Sequence, residues 1–290
     1  MSHLLAADYV RFGGRRDLRL LVALVPVILA VMFISEFNGI ATPPRADFFI
    51  EPPDPVMEAQ LQEQMLADWR GQLDRELPAF AFPASLIKVA GNIGPLVFLA
   101  IYLSVALVAG EFEWGTVRTL HLTSRRGATL AVRIGVVTGL IAVATAIGLV
   151  VASIIPFLLS VEGRPLQDRA GPVPGLIADV GIRMLAVVPF ITIPALLAVL
   201  GRSTGLAFVF TLLFLVGDLA VTGAPIWETS PVPWLPALTL TGSISRLFAG
   251  DATPLAAVAP AWLSVLALLA WAILPAVAAI ARFRRLDINE

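Results

Sequence analysis

Residues 134–161 read IGVVTGLIAVATAIGLVVASIIPFLLSV, 28 residues without a charge between Arg133 and Glu162. A helix needs about 20 apolar residues to cross the hydrocarbon of a bilayer, within a range of roughly 17 to 25. This run meets that need and gives the scale for reading the rest of the chain. A similar window covers 20–35, between Arg19 and Glu36. Another covers 89–110, between Lys88 and Glu111, and a further one 184–201, between Arg183 and Arg202. A fifth begins at Ser203 and passes through Asp218 to about Thr222. The sixth lies within 252–281, with its apolar core from Trp262 to Ile280. The first window is short, about 24 Å at 1.5 Å per residue. Arg19 and Glu36 extend it by reaching toward the headgroups.

Composition agrees with six spans. Of the 290 residues 58% are apolar and 14% charged, against about 25% charged in soluble domains. Mean hydropathy is +0.88. The interior of a soluble fold of this size could not hold that much apolar side chain, whereas lipid can. The expected fold is all-α, a polytopic membrane protein with six transmembrane helices forming one transmembrane domain over 1–290. Pro26, Pro95, Pro156, Pro189, Pro194 and Pro275 fall within or beside the spans. Membrane helices tolerate proline when neighbours satisfy the freed carbonyls, so kinks are expected there.

Composition also excludes chemistry. Without cysteine there is no disulfide, thiolate nucleophile or cysteine metal site. His3 and His121 are the only histidines, which argues against a His-rich metal centre or a Ser-His-Asp triad in the spans. No catalytic, cofactor-binding or metal-binding residue is expected on this chain. A net charge of -1 gives no reason to expect nucleic acid as a partner. Nineteen Arg to one Lys, with abundant Ala, suits a high-GC bacterial genome, and hence a bacterial cell membrane. The first apolar run follows the basic segment RFGGRRDLR, and FISEFNG comes after it in place of a small-residue cleavage site. It reads as a retained span rather than a secretory signal.

Charge orients the spans. With both termini inside, the cytoplasmic pieces hold 12 of the 20 basic residues and six acidic ones, a sum of +6. The outer pieces sum to -6, and the flipped topology would put every Arg cluster outside, against the positive-inside bias. Residues 1–19 and 282–290 are then cytoplasmic.

The first external segment, 37–83, opens with the Pro-rich acidic stretch ATPPRADFFIEPPDP. Leu61, Met65, Trp69 and Leu73 then recur every fourth residue, one apolar stripe of a helix. Asp54 and Pro55 suit its cap and first position. Glu58, Glu63, Asp68, Arg70 and Asp74 lie opposite the stripe. The helix lies against the outer ends of the spans or forms an external gate or partner site. Residues 162–178 form a short outer loop. Residues 223–257, which open with GAPIWETSPVPWLPALTLTGSISRLFAG, are too polar and too broken for a clean span. The piece from Pro236 to Phe248 is either a re-entrant helix or part of a surface loop, with Trp227 and Trp234 at interfacial depth.

The segment 111–133, EFEWGTVRTLHLTSRRGATLAVR, mixes bulky apolar residues with Glu111, Glu113, Arg118, Arg125 and Arg126. A helix over 112–122 would lie along the membrane plane, with Gly115 weakening it or allowing close backbone approach. Spacing alone leaves two readings open: a connector whose arginines touch anionic lipid, or a docking helix for a cytoplasmic partner.

The stretch GEFEWGTVRTLHLTSRRGATLAVRI, 110–134, resembles the signature of type-2 ABC transporter permeases. Gly110-Glu111 matches its opening pair, and Gly115-Thr116-Val117-Arg118 its centre. Arg125, Arg126 and Arg133 occupy its basic exit. The tail RFRRLDI, the basic N-terminal run and the six-span layout are similar as well, while the first external segment is longer than in the simplest members. The resemblance implies the permease subunit of an ATP-driven transporter, an exporter. Two permease subunits, identical or related, would pair in the bilayer, and two cytoplasmic P-loop ATPase subunits would dock on them. It makes 111–133 the coupling loop, with Glu111, Phe112, Glu113, Gly115, Thr116, Arg118, His121, Arg125 and Arg126 at the ATPase interface. No GxxxxGK[ST] occurs anywhere, so ATP and magnesium would belong to the partner ATPase.

Two polar residues inside spans are candidates for an intramembrane site. Asp218 is costly in lipid and needs a polar neighbour, with Lys88 or Arg183 as expected partners. Asn92 either bonds to a neighbouring helix or belongs to a loosened span end. Gly135 and Gly139 form a GxxxG pair that permits close helix packing. Two other function classes remain beside the permease. A secondary transporter would need paired ionisable residues and inverted repeats. A non-transporting scaffold or a membrane enzyme would need neither, though no nucleophile-base pair stands out for the latter.

Overall fold

The computed structural model describes residues 16–44, 55–113, 126–227 and 230–285. Among the described residues the helices are α1 (Arg16–Ala41), α2 (Pro55–Glu76), α3 (Ala84–Gly91), α4 (Gly94–Val108), α5 (Gly110–Glu113) and α6 (Arg126–Leu158). Then come α7 (Leu176–Leu185), α8 (Pro189–Gly201), α9 (Thr204–Thr222), α10 (Leu240–Phe248) and α11 (Ala261–Arg285). One antiparallel hairpin, β1 (Ser160–Val161) with β2 (Arg164–Pro165), interrupts the helices. Its turn residues Glu162 and Gly163 both have positive φ, 53° and 75°, as a tight two-residue hairpin loop requires.

Among the described residues, five helical segments are long and apolar enough to cross a membrane. They are Val22–Ala41, Gly127–Leu158, Leu176–Gly201, Thr204–Trp227 and Ala261–Arg285. The pair α3 and α4, interrupted at Asn92–Ile93, makes a sixth if read as one broken span. The chain thus has the all-α architecture of a polytopic membrane protein.

Three span ends run past the charges that bounded their windows, because those charges find contacts within the fold. The first helix runs on through Glu36 to Ala41. The third begins at Arg126 and buries Arg133 at 2% exposure. The fourth begins at Leu176, ahead of Arg183, whose guanidinium lies 4.6 Å from the centre of the Phe248 ring. Pro95 and Pro189 sit in the first turns of α4 and α8, where a missing N–H costs nothing. Pro26, Pro156, Pro194 and Pro275 stand inside helices that continue past them.

The fold divides into two compact units, and α1 and α6 contribute one part to each. The larger comprises 1–25, 93–145 and 181–290. Its centre is α8, buried along most of its length from Pro189 to Val199. It packs most extensively on α11, and then on α4 and α9. Ser104 on α4 donates its hydroxyl to the Ile191 carbonyl at 2.6 Å, and Thr192 donates to Trp271 O at 3.3 Å. Hydroxyls satisfied in this way let polar residues sit in an apolar bundle.

The smaller unit comprises 26–92 and 146–180. Its core joins Phe33 and Phe37 of α1 to Phe80, with ring centroids 5.2 and 5.9 Å apart. Leu29, Leu73 and Leu77 are buried beside them. The apolar stripe expected on 55–76 forms as α2. Leu73 is buried, Leu61, Met65 and Trp69 are half-buried, and Glu63, Asp68, Arg70 and Asp74 are exposed. Trp69 donates its indole N–H to Ile40 O at 2.9 Å, tying α2 to the end of α1. Asp74 pairs with Arg169, and Gln167 exchanges two hydrogen bonds with the backbone of Phe82, at 3.0 and 2.9 Å. The expected cap at Asp54 lies outside the described residues.

Candidate functional site

Three helix ends meet in the larger unit. The end of α4 leads through Ala109 into the short turn α5. The start of α6 and the last turn of α11 pack beside it. Phe112 on α5 meets Phe283 on α11 edge to face, with centroids 6.0 Å apart and planes at 84°. Phe283 is 4% exposed. Gly127, in the first turn of α6, lies under the Arg284 side chain; a Cβ there would stand 3.0 Å from Arg284 Cγ and collide with its Nε. Arg133, further along α6, donates Nη1 to Leu107 O at 3.4 Å. Arg282, Arg284 and Arg285 stand in the last turn of α11, where cations complement the helix dipole.

The segment between these ends is the one singled out from sequence. Gly115, Thr116, Arg118, His121 and Arg125 lie outside the described residues. Glu111 and Glu113 are placed on α5, and Arg126 opens α6. Of the coupling residues expected from sequence, Phe112 is the one whose side-chain contact is defined.

Asp218 has a clear role, and neither expected cation fills it. Its carboxylate accepts from Leu240 N at 3.0 Å, Thr241 N at 2.7 Å and the Thr241 hydroxyl at 2.6 Å. Thr239 caps the same helix by accepting from Gly242 N at 3.0 Å. The first three N–H groups of α10, which have no partner within the helix, are therefore all satisfied. A carboxylate at a helix N-terminus also gains from the dipole. At the other end Arg246, 8% exposed, donates to Ala259 O at 3.1 Å and Gly250 O at 2.9 Å. The segment 223–257 therefore contains a packed helix held at both ends.

Lys88 instead pairs with Glu36 at 2.9 Å and lies 4.2 Å from the centre of the Phe80 ring. Asn92 donates Nδ2 to the other Glu36 oxygen at 3.2 Å. Asn92 is thus both the C-terminal cap of α3 and a helix-to-helix bond. Sequence reasoning missed this cluster because it sent Glu36 to the headgroups. The available signal was a Lys and an Asn four residues apart, both on one helical face. Replacing Lys88 with Met is expected to lower the midpoint of thermal unfolding in detergent, at a cost of about 1 kcal/mol for this partly exposed pair. Glu36→Gln added to Lys88→Met should cost less than the sum of the two single changes, a cycle that isolates the pair.

Between α4 and α9 lies an open groove of about 420 Å³, lined by Tyr102, Val105, Ala106, Thr204, Gly205 and Phe208. Ligand sites commonly have volumes of about 300–1,000 Å³. The mostly apolar lining suits an acyl chain or apolar cargo better than a charged solute. Gly135 and Gly139 meet no neighbouring atom where their Cβ would be, so the GxxxG face is not used among the described residues. Among those residues no group of three or more His, Asp or Glu could hold a metal ion.

No protein-family model matches the chain, and no curated protein sequence matches it significantly.

Proposed function

We propose that this chain is the membrane-spanning permease subunit of an ATP-driven ABC-type exporter in a bacterial cell membrane, with both termini cytoplasmic. The observation that carries the reading is the segment 110–134, Gly110-Glu111 through Gly115-Thr116-Val117-Arg118 to Arg133. It joins α4, the second half of the broken pair α3–α4, to the span-length α6, at the end where the basic last turn of α11 also packs. A segment whose two ends abut the bundle, with acidic and basic residues on it, suits docking of a cytoplasmic protein. The nucleotide site would be the partner's, since this sequence holds no phosphate-binding loop. A second permease subunit would complete the translocation path, with the bilayer around both. The apolar groove beside Tyr102 and Phe208 fits an apolar cargo.

A secondary transporter has less support. It needs ionisable groups that change partners, while the Asp218 oxygens are committed to the start of α10 and Glu36 to Lys88.

Mild-detergent purification from the native host tests the reading. A P-loop ATPase is expected at equal stoichiometry. Substituting Glu111 and Arg118 together with Ala should reduce the amount retained at least tenfold while leaving membrane insertion intact. Undiminished ATPase recovery in that double variant would remove the interface from 111–133. A reporter fused after Glu290 should be found inside the cell, as the charge bias requires.

A further inference from the structure

The groove between α4 and α9 lies at the ends of both helices. Its α4 wall is Tyr102, Val105 and Ala106, in the last two turns of a helix that ends at Val108. Its α9 wall is Thr204, Gly205 and Phe208, in the first two turns of a helix that begins at Thr204. At 1.5 Å per residue, Tyr102 and Phe208 stand about 6 Å further into the span than Ala106 and Thr204. The groove therefore runs inward from the helix ends, with a threonine at its rim and aromatic rings at its depth. Arg202, two residues ahead of Thr204, ends α8 in a left-handed conformation with φ 52°. It is the single charged residue from 184 to 217. A cation at the helix end with an apolar trough beyond it is the pattern that takes an amphiphile with an anionic head.

We infer that the groove holds an acyl chain of a resident anionic phospholipid, whose phosphate is met by Arg202 and Thr204. Exposure favours lipid as the occupant. α9 is the least buried of the five span-length helices among the described residues. Leu206, Val209 and Phe210, beside the groove's own α9 residues, are half-exposed. The groove thus opens where a membrane supplies lipid chains at the highest concentration. Space is left for such a chain at Gly205, where a Cβ would meet nothing nearer than Ser203 Oγ at 3.9 Å. Charge then selects the head. A guanidinium presents five donors in a plane that matches phosphate oxygens, whereas an apolar helix of a second copy would gain nothing from it. A chain seated here fills the gap between two helices that both pack on α8. Only the membrane-spanning fold is required for this, not the docking of an ATPase. In the orientation proposed above the lipid comes from the cytoplasmic leaflet.

Photocrosslinking tests the site. The full chain is placed in phosphatidylcholine nanodiscs containing a phosphatidylglycerol with a diazirine on its acyl chain, or a phosphatidylcholine with the same chain. Labelled peptides are then mapped by mass spectrometry. The phosphatidylglycerol probe should label 102–106 and 204–208 at least fivefold more than 209–216 on the same helix. It should label the groove at least threefold more than the phosphatidylcholine probe does.

Gly205→Leu, which fills the groove from α9, should lower labelling at both walls at least fivefold. Ala106→Leu fills it from α4 and must do the same, so the test stands if one variant does not insert. Arg202→Asn keeps a residue that tolerates the left-handed backbone and should abolish the preference for phosphatidylglycerol while phosphatidylcholine labelling is unchanged. Even labelling along α9, or groove labelling that both filling variants leave intact, would overturn the site. Equal labelling by the two probes, or a preference kept in Arg202→Asn, would overturn the anionic head and leave the groove to an apolar cargo. No partner enters the measurement, so its failure leaves the permease reading standing, and the absence of a copurifying ATPase leaves the lipid site standing.

Discussion

Replacing Asp218 with Ala is expected to destabilise the larger unit by about 3 kcal/mol. The carboxylate is 9% exposed and accepts three hydrogen bonds, two from backbone N–H groups of α10 that have no other acceptor within that helix. A hydrogen bond to a charged group contributes about 1.5–3 kcal/mol, and a buried donor left without an acceptor costs about 1–3 kcal/mol. These overlap rather than add, hence the total. Asp218→Asn keeps one acceptor oxygen and should cost about half as much. Thermal unfolding in one detergent, followed by tryptophan emission, checks the order Asp, Asn, Ala. Trp271 is a suitable reporter because its indole bonds to Leu238 O, ahead of the capped helix. Equal stability of all three proteins would show that α10 does not depend on its cap.

Gly242→Val should be at least as severe, about 3 kcal/mol or more. Gly242 sits in the first turn of α10 against the preceding turn of chain. A Cβ there would stand 2.8 Å from the Pro236 carbonyl carbon and nearer still to its oxygen. The obstacle is backbone, so it cannot swing aside as a side chain does. Overpacking of a tight core costs about 1–3 kcal/mol when side chains can adjust, and more here. The same shift would pull Gly242 N off the Thr239 hydroxyl and separate Thr239 from Thr222, whose oxygens lie 2.6 Å apart. Asp218→Ala and Gly242→Val act on one helix turn, so together they should cost less than their sum. The same unfolding measurement decides this, and full additivity would mean that cap and close approach are independent.

The Asp218 and Gly242 changes act at the start of α10, whereas the proposed docking of the ATPase is tested at Glu111 and Arg118. A loss of ATPase binding with unchanged melting therefore reports on the interface, and a fall in melting with the ATPase retained reports on the cap.

The chain's own letters determined that it is helical and built to cross a bilayer. Each charge-free run of about 20 residues must be buried in something, and backbone polarity leaves only the helix as a single-segment solution in lipid. The stripe of Leu61, Met65, Trp69 and Leu73 was equally legible, because helical periodicity is local. Tertiary structure alone decided where charges stop mattering. Glu36 lies inside a helix because Lys88 and Asn92, some 50 residues away, come to meet it. Arg133 and Arg183 likewise sit within helices rather than bounding them. Asp218 has a partner no pairing rule would name, since its partners are backbone N–H groups 22 and 23 residues on. The convergence of Phe112, Gly127, Phe283 and Arg284 was hidden for the same reason. Composition and period are properties of neighbours in sequence, whereas the partner that neutralises a charge or seats a ring is chosen only when distant segments pack.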